Sequence, residues 1–227
     1  MVMLNDCTTL VTGSEDKKVM LWKLNLNPPQ KPERLLSKQF ESPINSIAKH
    51  PYDNLSVFLA FQNGEIIRWH THTDIQTLVR SQGVPIRSLS TAPGRPHLCA
   101  AGHNGRCFVY SIHDLQLTRD WEAHTGYITK CELSRDGTRL ATCSADFTAK
   151  VWDMESPGEM TLKWNNIMRH NRWIWDCTLT KDGKSLITVS SDRQVLQWFE
   201  NLSRSRSLFE RKHGATCVAL AEIDYSK

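Results

Sequence analysis

The stretch "DFTAKVW", Asp146 to Trp152, decides the fold because it has counterparts along the whole chain. An Asp or Asn stands six residues before a Trp or Tyr in "DKKVMLW" (Asp16, Trp22), "NGEIIRW" (Asn63, Trp69), "NGRCFVY" (Asn104, Tyr110) and "DRQVLQW" (Asp192, Trp198). The five aromatics are 47, 41, 42 and 46 residues apart. One such pair is chance; five at nearly constant spacing are an internal repeat. Each is preceded by a β-rich run, "TTLVTGS", "SVFLAF", "HLCAAG", "RLATCS" or "SLITVS". Further upstream, Asp136-Gly137 and Asp182-Gly183 are hairpin signals. No ten-residue stretch sustains a helical period, so the chain reads as short strands joined by tight turns.

Two units align without gaps. Seven residues separate His124 from Cys131 and His170 from Cys177, and fifteen separate each Cys from its turn Asp. Four strands per unit at a period of ~40–45 residues resemble the WD-repeat β-propeller family. The fold expected is all-β, with five recognisable four-stranded blades. Repeat units are expected at 1–41, 42–82, 83–122, 123–168 and 169–211, with a closing strand at 213–223.

In that family a His, a Ser or Thr, the turn Asp and the strand Trp share one set of hydrogen bonds. The resemblance implies two such sets here. One is His124, Thr142 or Ser144, Asp146 and Trp152; the other is His170, Ser190, Asp192 and Trp198. The other units lack an aligned His, so their sets should be partial and their blades looser. A His–Asp pair that could pass for half a catalytic triad thereby acquires a structural role.

The literal "WD" in "RHNRWIWDC" (Arg169 to Cys177) is out of register. The signature Trp of that unit is Trp198. Trp173 and Trp175 match Tyr127 and Thr129 of the unit before, and in propellers of this family those positions open onto the top face. Two indoles there have the composition of a binding hot spot. The residues one before each turn Asp or Asn, Glu15, Gln62, His103 and Ser191, are expected to supply a polar rim.

"AHTGYITKC", "LATCSAD", "AKVW", "RWIWDC" and "LITVSSD" together are similar to the last repeats of the small, G-protein-β-subunit-like WD-repeat subunits of target-of-rapamycin kinase complexes. "LVTGSEDKKVMLW", "NSIAKHP" with "GEIIRW", and "VPIRSLS" with "NGRCFVY" resemble earlier repeats of those subunits. The resemblance implies a non-catalytic scaffold. It also implies a target-of-rapamycin-like kinase as partner, and a cytoplasmic location with recruitment to endomembranes through the complex. Those subunits have seven repeats and five are counted here, so the chain is either a five-bladed ring or, the reading favoured, an incomplete copy with open sheet edges.

Bulk properties exclude several alternatives. A net charge of +4 gives no general nucleic-acid footprint, and the densest basic run, Ser203 to His213, lacks aromatic interleaving beyond Phe209. No apolar run approaches the ~20 residues that cross a bilayer. The N-terminal residues do not form a signal peptide, since they lack a basic start and a long apolar core. Seven irregularly spaced cysteines fit free core thiols. His70 with His72, and His97, Cys99, His103 and Cys107, lack metal-ligand spacing, so no metal or other cofactor is expected. There is no GxSxG, phosphate loop or HExxH. A substrate adaptor of a ubiquitin ligase is the alternative function, weakened because Glu155 stands where such adaptors often carry an Arg.

Overall fold

The computed structural model describes residues 1–4, 8–24, 31–81, 83–156, 158–164, 168–200 and 205–210. The expected closing strand at 213–223 lies outside them, as does part of the basic run. Residues fall into two compact units, Met1–Ile128 and Thr129–Lys227. The protein is all-β, and five four-stranded antiparallel sheets are formed among the described residues.

The first unit holds three sheets. They are β1 (Val2–Met3), β2 (Thr9–Gly13), β3 (Lys18–Lys23) and β4 (Glu33–Gln39); β5 (Ile44–Lys49), β6 (Ser56–Phe61), β7 (Glu65–His70) and β8 (Gln76–Ser81); and β9 (Ile86–Thr91), β10 (His97–Gly102), β11 (Arg106–Ser111) and β12 (Leu117–Glu122). The fourth sheet is β13 (Ile128–Leu133), β14 (Arg139–Ser144), β15 (Thr148–Asp153) and β16 (Met168–Arg169). The fifth is β17 (Ile174–Leu179), β18 (Ser185–Ser190), β19 (Gln194–Phe199) and β20 (Arg206–Glu210). In every sheet the strands lie in chain order, so each is a meander with its first and last strands as edges.

The repeat spacing has a local cause in the turn between the second and third strands. The turn Asp or Asn uses Oδ1 to accept the backbone N–H two residues on: Asp16 from Lys18 (3.1 Å), Asn63 from Glu65 (3.1 Å), Asn104 from Arg106 (3.2 Å), Asp146 from Thr148 (2.9 Å) and Asp192 from Gln194 (3.0 Å). A short side chain with an acceptor oxygen is what such a turn requires. The residue between is left-handed in all five: Lys17, Gly64, Gly105, Phe147 and Arg193 have φ of 68, 88, 78, 71 and 72°. A Cβ at Gly64 would lie 2.5 Å from the Val84 carbonyl oxygen, and one at Gly105 would strike that of His124.

Six residues after the turn acid, the aromatic packs diagonally beneath the preceding strand. Trp22 donates its indole N–H to Thr12 Oγ1 (3.0 Å), Trp152 to Thr142 Oγ1 (2.9 Å) and Trp198 to Thr188 Oγ1 (2.8 Å). The second sheet has Leu59 at the matching place, and Trp69 instead donates to Asp74 Oδ1 (2.8 Å). The third has Ala100 and Tyr110. Trp69 and Tyr110 are nevertheless fully buried, each in an apolar core.

Between the second and third sheets, and between the fourth and fifth, side chains join the neighbouring first strands. In the first unit Asn45 donates to the Ile86 carbonyl (2.9 Å), and Ser46 Oγ accepts the Leu89 N–H (3.0 Å). In the second, Thr129 Oγ1 donates to the Ile174 carbonyl (2.6 Å), and Glu132 Oε1 accepts the Thr178 hydroxyl (2.9 Å). Lys130 Nζ lies 3.6 Å from Asp176 Oδ1. These contacts satisfy edge groups that would otherwise template foreign strands.

Candidate functional site

At the turn end of the fifth sheet, the backbone does in three sheets what one rule requires. The residue before the turn acid donates its N–H to the carbonyl of the residue before the first strand. The pairs are Gln62 to Pro43 (2.9 Å), His103 to Pro85 (2.8 Å) and Ser191 to Trp173 (3.0 Å). Proline serves as well as tryptophan, because only a carbonyl is needed. Two residues on, a β-bulge leaves one residue of the first strand unpaired: Asn45 between Ile44 and Ser46, Arg87 between Ile86 and Ser88, and Trp175 between Ile174 and Asp176. Bulges re-aim the side chains they carry.

Trp173 and Trp175 therefore occupy positions filled by Pro43 and Asn45 in the second sheet and by Pro85 and Arg87 in the third. Their rings meet edge to face, 5.6 Å apart at 69°. Trp173 is 41% exposed. Trp175 is half-buried, and its indole N–H donates to Ser191 Oγ (2.6 Å) in its own sheet. With Phe147, Arg172 and Ser191 the two indoles line an open pocket of about 390 Å³. Phe147 is the left-handed residue after Asp146 and is 40% exposed. The shared turn imposes that positive φ, and on a bulky aromatic it costs on the order of 1–3 kcal/mol. Phe147 and Arg172 had not been singled out in the sequence. The available signal was an aromatic directly after a turn acid, where glycine stands in two other units.

The remaining expected rim residues separate. Glu15, Gln62 and His103 are exposed on the first unit, where His103 stacks on Tyr127 at 4.7 Å with planes 6° apart. Gln62 Oε1 accepts from Asn45 (2.9 Å). Thr129 does not belong with an exposed rim. It fills the Asn45 position in the fourth sheet, and its hydroxyl is bonded to the Ile174 carbonyl.

The expected hydrogen-bonded set of the fifth sheet needs one correction, and in the fourth the indole meets the first of its two candidate hydroxyls. In the fifth sheet the hydroxyl is that of Thr188, not Ser190. Trp198 donates to Thr188 Oγ1, whose own hydrogen points to His170 Nε2 (2.7 Å), and His170 Nδ1 donates to Asp192 Oδ2 (2.8 Å). This direction follows from the carboxylate, which can only accept. Ser190 Oγ instead accepts the Asp192 N–H (3.1 Å) and donates to the Arg172 carbonyl (3.2 Å). In the fourth sheet, Trp152 likewise meets Thr142, while Ser144 Oγ accepts the Asp146 N–H (3.0 Å). The reason is the pleat: Thr188 and Ser190 share a face, and the indole at register position 198 reaches only the nearer. His124 is buried in the first unit.

Burial holds His170 below its ordinary pKa, against the opposing pull of Asp192. Burial pushes the Asp192 carboxyl up, but the N–H groups of Gln194 and Asn171 and the His170 ring outweigh it and hold it low. Thr188–His170–Asp192 has the order of a nucleophile, base and acid. Its Thr188 hydroxyl is fully buried and already accepts an indole N–H. Among the described residues no group of three His, Cys, Asp or Glu is arranged to hold a metal. His70 Nδ1 accepts the Thr73 N–H (3.1 Å), and Cys99 and Cys107 are buried and not joined in a disulfide. No helix among the described residues is long and apolar enough to cross a membrane.

Comparison with known proteins agrees with this geometry. The WD domain, G-beta repeat family matches residues 2–23, 115–153 and 163–198. "Protein LST8 homolog" of Drosophila pseudoobscura pseudoobscura is 29% identical over 179 residues, covering 74% of this chain and 54% of that protein. "Target of rapamycin complex subunit LST8" of Bos taurus is 31% identical over 161 residues, 67% of this chain and 48% of that protein. "Non-functional target of rapamycin complex subunit LST8-2" of Arabidopsis thaliana is 32% identical over 174 residues, 72% of this chain and 52% of that protein. The chain thus spans about half the length of the curated relatives it matches. Likeness at this level includes a relative described as non-functional, so it marks kinship rather than activity. With five four-stranded sheets, the shared turn and the Trp–Thr contact, the chain belongs to the WD-repeat family, as an LST8-like member of it.

Proposed function

We propose that this protein is a non-catalytic scaffold subunit that docks on the kinase domain of a target-of-rapamycin complex and stabilises it. The observation that carries the reading is the aromatic surplus of the second unit. Trp173, Trp175 and Phe147 stand where other sheets place Pro43, Asn45 and Gly64, or Pro85, Arg87 and Gly105, with the same backbone bonds. The same backbone turn forms with proline, asparagine, arginine or glycine at these places. Exposed indoles beside an arginine have the make-up of an interface anchor. A relative named as a target-of-rapamycin complex subunit supports the choice of partner. The non-catalytic part rests on the buried, fully occupied Thr188–His170–Asp192 contacts. Docking that favours the folded, active arrangement of a kinase acts by mass action alone.

The test is co-precipitation of a target-of-rapamycin kinase domain with the full chain carrying Trp173→Ala and Trp175→Ala. Recovery of kinase should fall at least tenfold while circular dichroism of the variant stays native. Undiminished recovery with a folded double variant would sink the proposal.

A further inference from the structure

We infer that the segment received by the Trp173–Trp175–Phe147 patch is an acidic one: an apolar anchor flanked by Asp or Glu. The inference rests on the docking reading above and adds the chemistry of the occupant. One arginine lines the patch and two more stand within two residues of its lining in sequence or across a strand pair. Arg172 lines it directly. Arg193 follows Asp192, two residues from the Ser191 that holds Trp175. Arg169 pairs with Thr148, next to Phe147, across β16 and β15. All three side chains are exposed, and none pairs with a carboxylate of the described residues.

The local carboxylates are turned away or occupied. Asp146 Oδ1 accepts the N–H and the hydroxyl of Thr148 (2.9 and 2.7 Å). Asp192 takes the His170 ring and the N–H groups of Asn171 and Gln194. Asp176, next in sequence to Trp175, is buried and faces Lys130. One guanidinium thus lines the apolar pocket and two more stand close to its lining in the chain, three cations against the two hydrogen-bonded carboxylates of Asp146 and Asp192, with Asp176 matched by Lys130. A basic rim around an apolar centre favours an acidic-flanked segment, raises its association rate and rejects a basic one. Arginine suits the task, because its planar fork meets a carboxylate with two bonds and also lies flat on indole.

Three 13-residue peptides test this against the full chain, read by anisotropy of a terminal fluorophore. All share a central Phe-Leu anchor and differ only in flanking residues, which are Asp, Asn or Lys. At 50 mM salt the Asp peptide should bind about tenfold tighter than the Asn peptide, from three exposed charge pairs, and the Lys peptide weakest. That preference should shrink to about twofold at 500 mM salt and in the folded variant carrying Arg169→Gln, Arg172→Gln and Arg193→Gln. An Asp peptide that does not bind, that binds no tighter than the Asn peptide, or whose advantage survives in the triple variant overturns the inference. Failure of the docking reading shows separately, as kinase recovery or peptide binding that persists after both indoles are removed.

Discussion

The turn of the second sheet and the turn of the fifth are the same device carrying different cargo. In both, the turn Asn or Asp caps the N–H two residues on. In both, the preceding residue donates to the carbonyl before the first strand, and a bulge follows. The second sheet fills these places with Pro43, Asn45, Gln62 and Gly64, and Asn45 bonds the neighbouring first strand at Ile86. The fifth fills them with Trp173, Trp175, Ser191 and Arg193, and Trp175 bonds back into its own sheet. What differs is not needed to make a blade. Side chains at these positions are therefore free to be chosen for a partner, and in the second unit they are aromatic.

The comparison can be broken most severely at the acid. Asp192 accepts three donors, one of them the buried His170 ring, whereas Asn63 caps one exposed turn. Asp192→Ala should lower unfolding free energy in urea by about 3 kcal/mol, because a buried donor loses its partner, against about 1 kcal/mol for Asn63→Ala. Equal losses would mean that the His170 contacts add nothing. At the indoles, the account expects Pro43→Trp with Asn45→Trp to fold, with a stability loss of no more than about 2 kcal/mol from the Asn45–Ile86 bond. Failure of that transplant to fold would show that the positions are not interchangeable. Phe147→Gly should move stability and binding in opposite directions. Unfolding free energy should rise by roughly 1 kcal/mol as the left-handed strain disappears, while kinase capture weakens. A loss of both would assign Phe147 to the core instead.

The smallest effect is on pH. His170 is held below its ordinary 6.5 chiefly by burial, so the unfolded chain takes up that proton first. The associated stability is complete above pH 6.5 and is lost as pH falls through the lower folded value. Asp192, held below its ordinary 3.8 despite burial, adds a loss of the same sign at more acid pH. His50 and His97, lowered first by burial, act in the same direction in the first unit. The His170 share is the difference in the acid slope of the urea midpoint between the chain and His170→Asn, and identical slopes would contradict it. At Asp53 burial pushes the carboxyl up, but bonds from Ser56, the Leu55 N–H and Arg68 hold it at about 2, so its contribution is complete above its ordinary 3.8 and is lost as pH falls from there through about 2.

The repeats were legible because the turn imposes a short acceptor side chain and the pleat fixes the aromatic six residues later. Those demands are local, and local demands leave a period. The corrections concern what is not local. Whether Thr188 or Ser190 meets His170 depends on which of two hydroxyls the indole at 198 reaches across the strands. Thr129 aligned with Trp175, but its hydroxyl is committed to Ile174, a contact 45 residues away in sequence. The bulge at Trp175 recurs at Asn45 and Arg87 and has no residue signature of its own. Phe147 left only a faint signal, an aromatic where two other units have Gly64 and Gly105, because the residue type after a turn acid does not fix where its ring leans.

The central claim is that the aromatic patch is surplus to folding and essential to docking. Trp173→Ala tests it most directly, with the urea unfolding free energy and the dissociation constant for the kinase domain measured on the same preparation. The account predicts a stability loss under about 1 kcal/mol, since the ring is 41% exposed, with affinity weakened by about 30-fold or more, as expected of an anchor residue. A variant that unfolds readily yet, when folded, binds the kinase as tightly as the native chain would contradict it.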